Sequence, residues 1–185
     1  MAAEHLPFQP HTRSMIEFFT HVLIVLVPLL LTSILHMVAV KRDWLRAVQI
    51  PIWRKGFGEN KTWRGVIFVP TVNALFLLAI SYIFRLDLAY PFLLGYVLGL
   101  SYLLFELPNS FLKRKAGIKA GGHHDNHKYL FYVLDKTDSS FGVTLSYMLI
   151  TGITLKMAGA LFLINSMTHT VVAFVLVRLN IKSSF

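Results

Sequence analysis

The sequence predicts an all-α polytopic membrane protein with five transmembrane helices, built as a single domain over residues 1–185. Hydrophobic residues make up 55% of the chain and its mean hydropathy is +0.60, which exceeds the usual composition of a soluble domain. These residues form long blocks, and the charged residues cluster between the blocks. The chain has no Cys, which excludes a disulfide scaffold and a thiolate metal site.

Four apolar blocks define the predicted helices. The first covers about residues 16–40, more than the roughly 20 residues that a membrane-crossing helix needs. It is too long for a secretory signal peptide and lacks a small-residue cleavage site. The second block covers residues 65–84 and the third covers residues 91–107. The last block, residues 139–177, is too long for one span, so we expect a tight turn near Lys156 and Gly159 to divide it into two helices.

The positively charged residues predict the orientation of these helices. All but three of the 18 Lys and Arg residues fall in the loop 41–64, in the loop 109–138 or in the C-terminal tail; the exceptions are Arg13, Arg85 and Lys156. Because Lys and Arg stay on the cytoplasmic side, we expect the N-terminus outside and both long loops and the C-terminus in the cytoplasm. An odd number of spans puts the two termini on opposite sides of the membrane, which agrees with this orientation. The sequence therefore predicts a multi-pass protein of the cytoplasmic membrane.

The first long loop contains a segment suited to holding phosphate. Two glycines allow the backbone to approach an anion closely. Lys61 and Arg64 supply positive charge, and Asn60 and Thr62 supply neutral donors. The segment ends where the second helix begins, and the free N–H groups there favour an anion. A basic loop that simply contacts anionic lipid headgroups has the same composition, so the residues alone leave both interpretations open.

The second polar segment carries three carboxylates. Glu106 lies at the inner end of the third predicted span, where a charged group is costly and usually marks a site or a partner. Asp135 and Asp138 are three residues apart, so both can point the same way from a helix. With the loop cations they predict a site for Mg²⁺ and a polyphosphate, because Mg²⁺ prefers one or two carboxylates together with phosphate oxygens. Taken singly, Asp138 as a helix N-cap and Glu106 reaching toward the membrane interface are the simpler interpretations.

The histidines and one asparagine need two different interpretations. Three histidines share the second loop: His123, His124 and His127. Two of them have the spacing of a helical metal pair, but two glycines precede them and we expect a solvated loop. Four further polar residues lie inside predicted spans: His21, His36, Asn73 and His169. We expect these four to form hydrogen bonds between helices rather than to transfer protons.

Both loops carry motifs of a known family. Residues 60–65, Asn-Lys-Thr-Trp-Arg-Gly, resemble the N-K-T-W-R-G segment of the CDP-archaeol synthases, which belong to the wider phosphatidate cytidylyltransferase family. Ser110, Lys113, Arg114 and Lys119, followed by Asp-Lys-Thr-Asp at 135–138, resemble the family signature S-x-x-K-R-x4-K…D-x-x-D. The order of the motifs and the five-span layout are similar as well, and the similarity extends over most of the chain.

Three departures from the family pattern leave two questions open. Glu106 stands where the family usually has Asp, Ala120 stands where the bacterial phosphatidate enzymes have Asp, and a Gly-Gly-His order at 121–123 replaces the family's later H-G-G. The lipid substrate, an ether or an ester lipid phosphate, therefore stays open. So does a catalytically inactive relative that binds anionic lipid or nucleotide as a scaffold. A transporter is less favoured, because the spans show no repeat and few ionisable groups.

The resemblance implies a Mg²⁺-dependent transfer of CMP from CTP to a membrane lipid phosphate, which gives CDP-lipid and pyrophosphate. It implies that the catalytic residues are Lys113, Arg114, Asp135 and Asp138, and that the Mg²⁺ ligands are Glu106, Asp135 and Asp138. It assigns the binding of nucleotide and phosphate groups to Asn60, Lys61, Thr62, Arg64, Ser110 and Lys119. The attacking phosphate monoester is largely anionic at neutral pH, since its second pKa is about 6, so no general base is needed. The implied partners are CTP, the lipid phosphate and membrane lipids, with no nucleic acid and with a homodimer left open.

Overall fold

The computed structural model describes residues 10–118 and 128–179, and these residues are almost entirely helical. The helices are α1 (Pro10–Lys41), the one-turn α2 (Arg54–Phe57), α3 (Trp63–Ile83), α4 (Pro91–Lys115), α5 (Lys128–Thr151) and α6 (Leu155–Arg178). A 3-10 turn, Arg46–Val48, precedes α2. In the described part of the chain, extended pairing is limited to one bridge between Pro51 and Thr62. The prediction of an all-α fold is therefore confirmed for these residues.

Four of the helices are long and apolar enough to cross a membrane. The spans are Met15–Lys41 in α1, Trp63–Ile83 in α3, Pro91–Lys115 in α4 and Leu155–Arg178 in α6. Large apolar side chains are exposed along them, among them Leu75, Leu104 and Met167. A helix in lipid satisfies its backbone groups internally and presents such side chains to the hydrocarbon. The chain is therefore a helical multi-pass membrane protein.

The helix α5 differs from these four. It begins at Lys128, well before residue 139, so its first turns carry Asp135, Lys136 and Asp138. The uncharged stretch that follows Asp138 is shorter than the roughly 20 residues that a span needs. All five predicted helices exist, but the composition of α5, the fourth of them, does not confirm that it crosses the membrane.

Successive long helices run antiparallel. Between α4 and α5, Ser101 contacts Ser146 whereas Asn109 contacts Asp138, so rising residue numbers on one helix meet falling numbers on the other. The same pattern holds between α1 and α3 and between α3 and α4. The bundle thus has two ends. We call the end with residues 42–62, the end of α4 and the start of α5 the loop end, and the end with residues 84–90 and 152–154 the turn end.

The helices α3 and α4 approach each other closely, backbone to backbone. A Cβ atom added to Gly99 would lie 2.7 Å from the Cα atom of Pro70, and one added to Gly95 would lie 2.7 Å from the Cα atom of Ala74. Asn73 Nδ2 donates to the carbonyl oxygen of Gly95 at 2.7 Å. Small residues let membrane helices approach, and a buried amide can then bridge them. The interhelical hydrogen bond predicted for Asn73 is confirmed, and α4 is fixed against α3.

The apolar core lies nearer the turn end. Val25, Leu77, Leu98 and Val143 are buried there, and Tyr147 packs with them. The Tyr147 hydroxyl lies 2.8 Å from His21 Nδ1, so the interhelical bond predicted for His21 is confirmed. This half of the bundle is therefore filled by apolar side chains, whereas Glu106 and Asn109 make polar contacts between segments toward the loop end.

The break within residues 139–177 lies elsewhere than predicted. It falls at residues 152–154, where Gly152 has a φ of 69°. Thr154 caps α6 by accepting a hydrogen bond from the Met157 N–H at 3.3 Å. Lys156 and Gly159, which the sequence suggested as the turn, lie inside α6. A lysine and an isolated glycine are tolerated in a helix, whereas a residue with positive φ ends one.

The end of α4 also differs from the prediction. The apolar block predicts an end at residue 107, but α4 continues through Pro108 to Lys115. A proline removes one backbone donor, and Pro108 is exposed, so the helix passes it. Ser110, Lys113 and Arg114, predicted to lie in a loop, are therefore held on a helix.

Candidate functional site

A stripe of four polar residues follows one face of α4 toward the loop end: Tyr102, Glu106, Asn109 and Lys113. Their spacing of three or four residues places them on the same side of the helix. Each contacts a residue from another segment of the chain, namely Lys61, Asp135, Asp138 or His169. We call these eight residues the polar cluster.

Asn109 joins the two carboxylates of α5. Its Nδ2 donates to Asp135 Oδ1 at 2.7 Å and to Asp138 Oδ2 at 2.9 Å. The Asn109 side chain is buried. The two aspartates share one face of α5, as their spacing predicts, and they lie side by side because both accept from one nitrogen. Neighbouring carboxylates repel unless a cation or a donor lies between them, and Asn109 supplies that donor.

Asp138 lies in surroundings that disfavour its ionised form. Burial raises the pKa of Asp138, and the negative charge of Glu106 raises it further, to about 6. The hydrogen bond from Asn109 and the Ser139 N–H, 2.6 Å from Asp138 Oδ1, lower this pKa. Because α5 begins at Lys128, Asp138 lies inside the helix. The interpretation of Asp138 as a helix N-cap is therefore wrong.

Asp135 is paired with a lysine of α4. Lys113 Nζ donates to Asp135 Oδ2 and lies 5.8 Å from the centroid of the Phe131 ring. The side chain of Asp135 is 43% exposed and that of Lys113 is 16% exposed. A pair that is open to water can exchange partners at little cost. Asp135 is thus the accessible carboxylate of the two on α5.

Glu106 links α4 to the first long loop. Lys61 Nζ donates to Glu106 Oε2, and both side chains are largely buried. The two residues are 45 positions apart in the chain. The pair neutralises a carboxylate near the end of a span, where an unpaired charge would be costly. It also brings together the two segments that the sequence predicts to share a site.

The first long loop is folded against α4. The Ile52 N–H donates to the Lys61 carbonyl oxygen at 2.9 Å, which closes the loop on itself. Trp53 stacks on Phe111 of α4, with ring centroids 5.9 Å apart and planes at 27°. An offset stack of this kind adds to the apolar burial of both rings. These contacts hold Lys61 at the polar cluster.

Arg64 is tied to the segment that follows α1. Its side chain is 5% exposed, and its Nη1 lies 3.3 Å from the Trp44 carbonyl oxygen and 3.7 Å from Asp43 Oδ1. The guanidinium predicted to bind phosphate is thus engaged with its own loop. Its buried Nε has no partner among the described residues, which leaves one donor for a ligand.

The other residues predicted to bind phosphate or to act in catalysis are not members of the polar cluster. Asn60 is exposed and Thr62 is half-buried directly before α3. Ser110 is half-buried on α4. Arg114 Nη1 donates to the Ile118 carbonyl oxygen and so closes the end of α4. Four residues named from the sequence lie outside the described part of the chain: Lys119, His123, His124 and His127.

Sequence reasoning missed Asn109 and Tyr102. The signal that could have found them is the polar stripe on α4, which becomes visible once the helix is continued through Pro108. The Tyr102 hydroxyl lies 2.8 Å from His169 Nε2, so the interhelical bond predicted for His169 is confirmed. The ring of His36 packs against Phe68.

The polar cluster contains the ligand types that a hard divalent cation prefers. Asp135 and Asp138 lie side by side, and the buried Asn109 Oδ1 has no partner among the described residues. Carboxylate and amide oxygens suit Mg²⁺. Within residues 10–118 and 128–179, no three Asp, Glu or His side chains form a ligand group by themselves. The residues therefore fit an ion that takes one or two carboxylates and completes its shell with water or phosphate oxygens.

No protein-family model, no curated protein and no solved structure matches this chain. The functional proposal therefore rests on the polar cluster and on the motifs that converge there.

Proposed function

We propose that this protein is a Mg²⁺-dependent cytidylyltransferase that transfers CMP from CTP to a membrane lipid phosphate and releases pyrophosphate. The observation that carries the proposal is the Lys61–Glu106 ion pair, which joins the first long loop to the carboxylates of α4 and α5. The resemblance of both segments to the CDP-archaeol synthases supports the choice of CTP and of a lipid phosphate. The lipid is an ether or ester derivative of glycerol phosphate.

The proposed reaction takes place where the spans meet water. The polar cluster lies toward the loop end of α4, so a lipid phosphate can reach it from the membrane and CTP can reach it from the aqueous phase. We further propose that α5 crosses the membrane as a fifth span, with the N-terminus outside and the loop end in the cytoplasm. The charged first turns of α5 would then lie at the inner interface, and its apolar second half would lie in the bilayer.

In the proposed reaction, an oxygen of the lipid phosphate attacks the α-phosphorus of CTP. A new P–O bond forms, the bond from the α-phosphorus to the bridging oxygen of the β-phosphate breaks, and pyrophosphate leaves with that electron pair. The attacking phosphate is already anionic at neutral pH, so no side chain has to remove a proton. The barrier comes from bringing two anions together, which positioning and charge neutralisation lower. Bound Mg²⁺ would supply part of that charge stabilisation.

In the proposed reaction, the lysines of the polar cluster supply the rest of the charge stabilisation. Lys61 is paired with Glu106, and Lys113 is paired with Asp135. When a phosphate group binds, each lysine can move from its carboxylate to the phosphate and leave the carboxylate to a cation. Such an exchange keeps the local charge balanced, and this balance supports a site for anions and a divalent ion together. Arg114, in the last turn of α4, adds positive charge next to Lys113.

One observation favours a second function. Glu106 and Asp135 are each neutralised by a lysine of the chain itself, an arrangement that suits a catalytically inactive scaffold as well as an enzyme. Such a protein would bind CTP or anionic lipid through its remaining cations. It would not release pyrophosphate with any lipid phosphate.

Pyrophosphate release tests the proposal. The purified protein, given CTP, Mg²⁺ and a dialkyl or diacyl glycerol phosphate, should release pyrophosphate in step with CDP-lipid formation. Asp135→Asn should lower the rate about 100-fold or more, because it removes the accessible carboxylate. Asp87→Asn, an exposed aspartate at the turn end, is the matched control and should keep the rate. Full activity in Asp135→Asn would overturn the role assigned to Asp135, and CTP binding without turnover on any lipid phosphate would favour the scaffold.

A further inference from the structure

The turn end of the bundle contains an open cavity between the end of α3 and the start of α4. Its volume is about 630 Å³, which lies within the range of pockets that bind small molecules. The lining includes Leu78, Tyr82, Ile83, Arg85, Leu86 and Pro91. Most of this lining is apolar, and the guanidinium of Arg85 is its one ionised group. The combination fits a ligand with a hydrocarbon part and an anionic part.

Arg85 has an unusual backbone conformation at this cavity. Its φ is 50°, in the left-handed region that residues other than Gly, Asn and Asp seldom adopt. The Leu86 N–H donates to the Ser81 carbonyl oxygen at 2.9 Å, and the Arg85 N–H approaches the Tyr82 carbonyl oxygen at 3.4 Å. Helices that end with this pair of contacts usually have Gly where Arg85 stands. A residue with a strained backbone whose side chain lines a cavity points to a function for that residue.

Arg85 is the one charged side chain in the cavity lining and favours an anion, whereas Asp87, two residues further on, lies outside the lining. Arg85 is exposed, and no carboxylate of the described residues forms an ion pair with it. Tyr82 is 86% exposed, so its hydroxyl is available as a second donor at the rim. An arginine can bind phosphate through two parallel N–H···O bonds. The neighbouring apolar side chains would meanwhile contact an acyl chain.

We propose that this cavity binds one anionic phospholipid of the surrounding membrane, with the headgroup phosphate on Arg85 and an acyl chain along Leu78, Leu86 and Pro91. The site lies at the end of α3 and α4 opposite the polar cluster, so it does not rest on the proposed cytidylyltransferase activity. Free phosphate has the same charge but no hydrocarbon for the apolar lining. The alternative explanation is that Arg85 interacts favourably with the C-terminal dipole of α3. That role requires neither the cavity nor a lipid.

Arg85→Gly is the decisive variant, because Gly adopts a φ of 50° without strain. The variant removes the guanidinium and relieves the backbone at the same time, so it should fold at least as stably as the parent protein. Loss of lipid binding in this variant therefore cannot be attributed to unfolding. Lys156→Gln is the matched control, because it removes an exposed cation from α6 at the same turn end but outside the lining of the cavity.

Native mass spectrometry of the full-length protein can count the retained lipid. The micelles contain equal amounts of phosphatidylglycerol and phosphatidylcholine. The parent protein and Lys156→Gln should each retain one bound phosphatidylglycerol. Arg85→Gly should lose it, because its affinity for phosphatidylglycerol should be lower by about tenfold or more. Added phosphatidylglycerol should also raise the Tm of the parent protein more than that of Arg85→Gly. Equal retention by Arg85→Gly would overturn the proposal. If the parent protein retained phosphatidylcholine as well as phosphatidylglycerol, the assignment to an anionic lipid would be overturned. If inorganic phosphate alone raised the Tm as much as phosphatidylglycerol does, the assignment to a lipid would be overturned.

Discussion

The two faces of α4 hold their neighbours by opposite means. Toward α3, two glycines bring the backbones into contact, and the amide of Asn73 bridges to the Gly95 carbonyl oxygen. Toward α5, the contacts at the loop end join polar and charged side chains, among them Asn109 and Lys113 with the aspartates. Close packing leaves the first face little freedom, whereas hydrogen bonds and ion pairs can change partners. One helix therefore combines a fixed face toward α3 with loop-end contacts toward α5, here called the rearranging face, that can change around a ligand.

The largest effect is expected from breaking the fixed face. Gly99→Ala places a Cβ atom 2.7 Å from the Cα atom of Pro70, so the backbones must separate, and the free energy of unfolding should fall by about 1–3 kcal/mol. Equilibrium unfolding in detergent micelles measures this loss. Gly159→Ala is the control, because nothing lies within 4 Å of its added Cβ and the variant should gain up to about 1 kcal/mol of helix propensity. Similar losses in both variants would contradict the close packing of α3 and α4.

Replacing one amide on each face should separate stability from ion binding. Asn109→Leu removes the amide oxygen that is available to an ion and the amide nitrogen that orients Asp135 and Asp138, so the affinity for Mg²⁺ should fall about 10- to 100-fold. Asn73→Leu should cost about 1–2 kcal/mol of stability and leave Mg²⁺ affinity unchanged. Calorimetric titration and unfolding of the same samples provide both values. Impaired Mg²⁺ binding in Asn73→Leu would show that the two faces are coupled.

The pH should affect the rearranging face through Asp138. Because the folded-state pKa of Asp138 is raised to about 6, the folded protein keeps a proton that the unfolded chain has released between about pH 4 and 6. The stability from this group is therefore present at low pH and is lost as the pH rises through about 6. Mg²⁺ affinity should change in the opposite direction, since the ionised carboxylate is the proposed ligand.

Titrations of stability and of Mg²⁺ binding between about pH 4 and 8 measure both trends. Asp138→Asn should remove them, because its side chain does not ionise. An Mg²⁺ affinity that stays level through about pH 6 would take Asp138 out of the ligand set.

The smallest effect is expected from a neutral contact on the rearranging face. The hydroxyl groups of Ser101 and Ser146 lie 2.8 Å apart between α4 and α5. Hydrogen bonds of this kind between membrane helices contribute about 0.6 kcal/mol on average, so Ser101→Ala should lower stability by about that amount in the same unfolding assay. A loss as large as that of Gly99→Ala would mean that the α4–α5 face is as fixed as the α3–α4 face.

The helices could be predicted from the sequence because long apolar blocks leave the backbone few alternatives in a membrane. Their ends were harder to predict. Pro108 looks like a stop, yet α4 passes it on an exposed side. Gly152, which ends α5 through its positive φ, has no sequence feature that distinguishes it from Gly159. Whether α5 crosses the membrane depends on the charges of its first turns, which the apolar block that follows does not reveal.

The candidate site could be predicted in part. Motif spacing placed Asp135 and Asp138 on one face, and the meeting of Lys61 with Glu106 agrees with the expectation that both loops serve one site. The partners of individual side chains could not be predicted, because they depend on how the helices pack. Asn109 as the donor between the aspartates and Arg64 as the tie to Asp43 are two such cases.

The order of Lys61 and Glu106 along the chain bears on how the protein is made. Synthesis runs from the N-terminus, so Lys61 leaves the ribosome before Glu106. A carboxylate in a helix that enters the bilayer is costly on its own, but its counter-ion here is already present 45 residues earlier. We therefore expect the loss of Lys61 to impair the membrane insertion of α4 as well as the stability of the folded protein.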